Sequence, residues 1–288
     1  MRILVTGAAG RLGGRLVETL GARDHAVIGV DVADFDIADF AATNRTVGQI
    51  APALIIHAAA WTDVDGCARD PEQALRVNGY GAQNVALAAA AVGAAILYVS
   101  SNEVFSGTTK QPYREYDATA PINPYGYSKW VGERAVLTLN PRHYVVRTAW
   151  LFAHGGKNFV QSILNAATQG KPLRVVTDEI ANPTYTDDLA AAIADLIETE
   201  RYGIYHLVNE GACSRYEFAR HILDRTGHIE THIEPITLSE WPRASTPPPF
   251  AALENLHGKL LGVTLRPWQA AVDAFLEREG RIERGAGR

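Results

Sequence analysis

A doubly wound α/β architecture, a parallel sheet clothed by helices with a smaller C-terminal lobe interwoven into it, is what this chain predicts. Three observations predict it. Short apolar runs rich in Val and Ile alternate with longer segments of helical period. A glycine-rich turn follows the first run directly. After Trp150 the alternation loosens, where a second and less regular lobe is expected.

The elements follow in order. Residues 3–6, 26–30, 54–57, 96–100 and 144–147 are expected to be buried parallel strands. Between them, residues 12–20, 40–50, 71–92 and 124–139 carry apolar side chains at helical spacing. Right-handed crossovers place the loops after the strands at the same sheet edge, where ligands bind. Further on, residues 158–168, 186–198 and 215–226 are expected to be helical, and 204–208 to return to the sheet as a strand. Residues 235–250 hold five prolines and are expected to form an irregular loop. The division this implies is a dinucleotide-binding domain over 1–152, rejoined by residues near 186–209. Residues 153–185 and 210–288 would form the substrate lobe.

Composition narrows the function classes. At 288 residues, 47% hydrophobic and 20% charged, the chain has the composition of a soluble globular protein. A net charge of −5 without a basic block supplies no field for nucleic acid. Cys67 and Cys213 are far apart and outside any CxxC spacing, so neither a disulfide framework nor a metal site is expected. The opening apolar run stops at Thr6-Gly7, too short for a signal segment, and no run is long enough to span a bilayer. A cytoplasmic protein is the expectation, with an arginine-containing end that frays.

The chemistry sits in the loops. Gly7, Gly10 and Gly13 follow a strand and open a helix, with Arg11 and Leu12 between them. The first glycine permits a tight turn, the second a close approach to a pyrophosphate, and the third helix–sheet contact. Asp31 ends the second strand, where a carboxylate can hold an adenosine ribose. That carboxylate disfavours the extra phosphate of NADP whereas Arg11 attracts it, so NADPH and NADH both remain open. Asp36 and Ile37 begin a loop suited to cover an adenine, and Ala58, Ala59 and Ala60 offer small residues beneath a dinucleotide. After the fourth strand, a hydroxyl from Ser100-Ser101 can reach a substrate carbonyl. Tyr125 and Lys129 are four residues apart, one turn along the same helix face. Alone, such a pair is commonplace on solvated helices. Behind a glycine turn and a strand-end serine it reads as an acid–base pair, in which the ammonium lowers the phenol pKa.

These segments carry a resemblance. The glycine turn, His57–Asp65, Ser100–Phe105 and Tyr125–Lys129 are similar to the extended short-chain dehydrogenase/reductases, and more narrowly to the dTDP-4-dehydrorhamnose reductase family. Arg147–Phe152, Asn182-Pro183-Thr184, Gly203–Asn209 and Leu265–Trp268 extend the likeness over most of the chain. The resemblance implies a Rossmann domain and NAD(P)H-dependent reduction of the C4 ketone of a dTDP-linked 4-keto-6-deoxy sugar. Tyr125 would protonate the C4 oxygen, Lys129 would hold the nicotinamide ribose and Ser101 would orient the carbonyl. Val64, Asn102, Glu103, Trp150 and Asn182 would contact the sugar nucleotide. No metal is implied, and the partners are the sugar nucleotide and at most a second copy, as monomer or homodimer.

Four departures stand out. Glu103 occupies a position where many family members have Tyr, and Asn102 cannot serve as the acid that related dehydratases place beside such a glutamate. Arg15 stands where some members have a glutamate of a magnesium-bridged dimer, and residues 243–250 depart from the usual substrate loop. Two other functions compete: reduction of a different nucleotide-linked 4-keto sugar, or a non-catalytic NAD(P)-binding subunit resembling the methionine adenosyltransferase beta subunit.

Overall fold

Six parallel strands form the central sheet, in the order Gly203–His206, His143–Thr148, Ala95–Ser101, Leu54–His57, Arg2–Thr6 and Ala26–Val30. The structure, a computed structural model, describes residues 1–156 and 158–282, so the end expected to fray lies, from residue 283 on, outside the described residues. Four of the five apolar runs expected as buried strands are buried on both faces; Ala26–Val30 is the edge strand, and there the expectation is corrected, since only Val30 is buried. Ile3, Val5, Leu54, Ile56, Leu97 and Val99 enter a core on one face, while Leu4, Ile55, Ile96 and Tyr98 enter the core on the other. Successive residues of a strand point to opposite faces, so only near-continuous apolar sequence fills both cores.

Helices Arg11–Gly21 and Thr186–Glu198 cover the first face. Phe40–Ile50, Gly81–Ala91 and Pro124–Leu139 cover the second. Each fully buried Leu on these helices, such as Leu16 and Leu20, contributes roughly 1.5–3 kcal/mol. The strand order reverses between Arg2–Thr6 and Leu54–His57, whose crossovers leave on opposite faces. A crevice therefore opens beyond the carboxyl ends of these two strands.

A separate apolar cluster holds the later segments together. Phe152, Val160, Ile163, Phe218, Ile222, Trp268 and Phe275 belong to it, while Trp150 packs against both this cluster and a small one around Phe105 and Val208. The lobe's small sheets pair Leu151–Phe152 with Thr184–Tyr185, and Leu173–Val176 with Ile233–Ile236. Residues 235–250 are thus less irregular than expected: they begin in a strand and continue through a turn of 3-10 helix, Leu238–Glu240.

The helix expected over 71–92 is interrupted by a π-helical stretch, Leu75–Tyr80. There Asn78 is buried and its side chain binds outside the helix. Its Oδ1 accepts from the Trp61 N–H at 2.7 Å, and its Nδ2 donates to the Trp61 carbonyl at 3.0 Å and to Ser128 Oγ at 3.0 Å. A wider turn brings this amide to the loop at Trp61 and to helix Pro124–Leu139 at once, which an unbroken α-helix does not.

Candidate active site

The glycine turn is shaped by contacts that exclude a side chain. Gly7 has φ 76°, and a Cβ there would stand 2.7 Å from the Ala59 amide nitrogen. A Cβ on Gly13 would fall 2.0 Å from the Gly7 carbonyl oxygen. Turn, helix start and third strand are therefore in backbone contact. Helix Arg11–Gly21 has no side-chain cap, leaving its first amides to face a ligand. Asp31 ties this turn to the second strand by accepting from the Ala9 and Val32 N–H groups, each at 2.8 Å.

A cavity of about 1110 Å³ runs from this turn to the N-terminal part of helix Pro124–Leu139. Gly7, Gly10, Arg11, Leu12, Gly13, Asp31, Asp36, Ile37 and Ala58–Ala60 line one end. Val64, Ser101, Asn102, Glu103, Tyr125, Lys129 and Trp150 line the other. Asn182 does not. Its Nδ2 donates to the Gly211 carbonyl at 2.7 Å and its Oδ1 accepts from the Leu253 N–H at 2.7 Å. Its buried amide joins chain segments of the lobe, apart from the other residues expected to contact the sugar nucleotide.

The reacting end is built around the helix that carries Tyr125 and Lys129. Asn123 caps it, accepting from the Gly126 N–H at 2.8 Å, and Pro124 occupies the first turn. The strand-end loop packs hard against it: a Cβ on Gly126 would meet the Glu103 carbonyl oxygen at 2.0 Å. Lys129 is 3% exposed, with its Nζ 4.4 Å from the centre of the Tyr98 ring. Glu103 Oε2 accepts from Asn123 Nδ2 at 2.6 Å, and the Glu103 N–H donates to Ser101 Oγ at 3.2 Å.

The electrostatics differ from the sequence expectation. Burial pushes the Tyr125 phenol up, the Glu103 charge adds to the rise, and a hydrogen bond with Ser101 opposes it. Lys129 is itself lowered to about 7 by burial, against the raising influence of Glu133 and Cys67. The phenol is therefore not lowered as the sequence led one to expect: burial raises it, and Lys129 is not among the groups that move it. A phenol held protonated is suited to donate a proton. Glu103 is pushed up to about 7, first by burial and further by Glu179, with Asn123, Arg243 and Arg215 pulling it down.

Residues without a sequence signal close the rim. Arg215 stacks on the Trp150 ring at 3.5 Å and pairs with Glu179 at 3.0 Å. Trp150 has φ 42°, a left-handed conformation that a bulky side chain adopts only when its surroundings hold it there. Arg243 pairs with Asp65 at 3.0 Å, and the Thr246 carbonyl accepts from Asn123 Nδ2 at 3.1 Å. The proline-rich segment is thereby anchored to Asp65 and to the cap of the helix that carries Tyr125. Arg215 is far from Trp150 in sequence, beyond the reach of any local pattern. Asn78 did leave a trace, as an Asn-Gly pair inside a helical pattern. Arg15 pairs with Asp187 at 3.0 Å and Glu18 at 2.8 Å. Among the described residues no cluster of three or more His, Cys, Asp or Glu side chains is placed to hold a metal, and no helix is long and apolar enough to cross a membrane.

Comparison with known proteins matches residues 1–280 to the family model described as the RmlD substrate binding domain. A dTDP-4-dehydrorhamnose reductase of Streptomyces griseus is 38% identical, over 98% of this chain and 96% of its own. The spore coat polysaccharide biosynthesis protein SpsK of Bacillus subtilis (strain 168) is 37% identical over 96% and 97%. Among solved structures, a dTDP-4-dehydrorhamnose reductase from Bacillus anthracis str. Ames in complex with NADP superposes with a TM-score of 0.92 at 35% identity, covering 96% of this chain and 99% of that one.

Proposed function

This chain belongs to the family of the RmlD substrate binding domain, and from that premise we propose that it reduces the C4 ketone of dTDP-4-dehydro-6-deoxy-L-mannose with NADPH or NADH, yielding dTDP-L-rhamnose. One observation carries the reading: a single cavity joins the glycine turn to Ser101, Tyr125 and Lys129. The dinucleotide fits this chain because Gly7 and Gly13 leave backbone surfaces that a Cβ would fill, beside an uncapped helix start. Gly7, Gly10, Arg11, Leu12, Gly13, Asp31, Asp36, Ile37 and Ala58–Ala60 would hold it. Bound there, a reduced nicotinamide supplies hydride to the ketone carbon.

The chain's own groups do the rest. Tyr125, kept protonated by burial, donates its proton to the oxygen as negative charge develops on it. Ser101, hydrogen-bonded to the phenol, orients the carbonyl toward that donor. Lys129 binds the nicotinamide ribose, and near neutral pH its ammonium is poised to give up a proton toward the phenolate left behind. Val64 and Trp150 enclose the deoxysugar. Intact Ser101, Tyr125 and Lys129 favour catalysis over a regulatory binding role, which requires no proton donor.

The test is NADPH oxidation by the purified protein with dTDP-4-dehydrorhamnose, beside other nucleotide-linked 4-keto sugars. Turnover with the first supports the reading. Turnover only with another sugar overturns the substrate, and cofactor binding without turnover of any ketone overturns the enzyme.

A further inference from the structure

Three carboxylate side chains line the cavity, and they are disposed differently. Asp31 accepts from the Ala9 N–H of the glycine turn and from the N–H of its neighbour Val32, and Asp36 pairs with Arg76 at 3.0 Å. Glu103 adjoins Tyr125 instead. Asn123 Nδ2 donates to its Oε2 at 2.6 Å, and the backbone contact with Gly126 locks the loop that carries it against the reacting helix. The polar groups beside it are engaged with each other. Asn102 Nδ2 donates to the Ala251 carbonyl at 3.1 Å, and Ser101 Oγ donates to Asn102 Oδ1 at 3.3 Å.

A carboxylate next to the position of a ketone oxygen sets two acceptors side by side, which is unfavourable in a partly desolvated site. A hydroxyl donor between them removes the conflict. In a 4-keto-6-deoxyhexose the ketone is flanked by C3, which bears a hydroxyl, and by C5, which bears a methyl group. C3 therefore presents the adjacent O–H. We propose that Glu103 is a specificity-determining residue that accepts a hydrogen bond from the C3 hydroxyl of the sugar, selecting 4-keto sugars that carry one over their 3-deoxy counterparts. The proposal rests on the reductase reading above and deepens it.

The charged and titratable groups around this carboxyl are Glu179, Arg215 and Arg243 from the lobe and the proline-rich segment, with Tyr125 and Cys67 from the main domain. Glu103 is pushed up to about 7, so ionisation strengthens the acceptor as pH rises through that value. Lys129 is lowered to about 7 and titrates in the same window, so only a variant separates the two.

Steady-state reduction between about pH 6 and pH 9 is measured with a dTDP-4-keto-6-deoxy sugar and its 3-deoxy analogue. The wild type is expected to prefer the hydroxyl-bearing sugar by about 10- to 100-fold in kcat/KM, the range for a hydrogen bond to a charged group. Glu103→Gln is expected to lose most of that preference through KM, with kcat changed less, and to lose the fall of KM with rising pH. Should Glu103→Gln not fold, Glu103→Asp carries the test: its shorter reach raises KM for the hydroxyl-bearing sugar and leaves the 3-deoxy sugar unchanged. A Gln variant that keeps both the preference and the KM profile, or an Asp variant affecting both sugars equally, overturns the role of Glu103 while the reductase reading stands. A wild type that binds dinucleotide but reduces neither sugar overturns that reading and this proposal with it.

Discussion

At the glycine-turn end of the cavity the backbone itself forms much of the wall: a Cβ on Gly13 would collide with the Gly7 carbonyl and one on Gly7 with the main chain of Ala59. At the tyrosine end the wall is made of side chains from distant segments: Glu103, Tyr125, Trp150 and Arg215, braced by Asn123 and Arg243. The first end presents main-chain amides to whatever binds; the second presents titratable groups whose pKa values are moved by burial. Backbone cradles suit a ligand with invariant phosphates, whereas side-chain walls can be altered residue by residue. Under the proposed function, the contrast would separate a part that holds the cofactor from a part that sets which ketone is accepted.

The two ends should respond differently to substitution. Tyr125→Phe is expected to lower kcat by about 10²–10⁴-fold with dinucleotide affinity unchanged, measured by stopped-flow reduction and fluorescence titration. Near wild-type reduction by this variant would move the proton donor elsewhere. At the opposite end, Gly13→Ala is expected to destabilise the fold by roughly 1–3 kcal/mol and to weaken dinucleotide binding, because its Cβ meets the Gly7 carbonyl. Gly10→Ala, with a nearest contact of 3.1 Å, should be the milder of the pair. Equal behaviour in denaturant melts would show that backbone contact does not shape this wall.

Asn182→Ala is expected to cost about 1–3 kcal/mol of stability while leaving the KM for the sugar nucleotide unchanged, since its partners are backbone groups of the lobe. A raised KM without loss of stability would return it to the binding site. Arg215→Ala removes the stack on Trp150 and should raise that KM by roughly 5- to 20-fold without altering dinucleotide affinity. A change confined to the dinucleotide would contradict the division between the two ends.

The smallest effect concerns pH and stability. Glu103 is raised in the folded state from 4.5 to about 7, so the native state binds more protons in between. Its favourable contribution is present in full below about 4.5 and is lost as pH rises to about 7. Glu103→Gln is therefore expected to raise the melting temperature by roughly 2–4 °C near pH 8, the shift that about 1 kcal/mol produces in a large domain. Near pH 5 the shift should be much smaller. Lys129 has the opposite sign: lowered from 10.5 to about 7, it contributes above 10.5 and loses that contribution as pH falls. Comparing variant with wild type at each pH cancels that second group. An equal shift at both pH values would mean that packing, not charge, accounts for the difference.

What could be read without coordinates followed distance along the chain. The strands Arg2–Thr6 and Leu54–His57 were legible because double-sided burial demands continuous apolar sequence, whereas Ala26–Val30, at the sheet edge, was legible from its Val and Ile content. The Gly7–Gly13 turn and the Tyr125–Lys129 spacing were legible because each is a local motif on a single element. The break at Leu75–Tyr80 was not, since it follows from Asn78 reaching Trp61 and Ser128, residues 17 and 50 positions away. The backbone partners of Asn182 were not legible for a related reason: a polar residue in a shared motif serves the backbone as readily as a ligand.

By itself, then, the sequence determined the strand–helix alternation, the glycine turn and the Tyr125–Lys129 spacing, because all three depend on residues close together along the chain. Only the tertiary structure decided that Tyr125 is pushed up and Lys129 down, that Glu103 lines the same cavity, and that Arg215 stacks on Trp150 in its wall. Burial and charge proximity are properties of the assembled volume, and a pKa is set by everything packed around the group, whatever its distance along the chain.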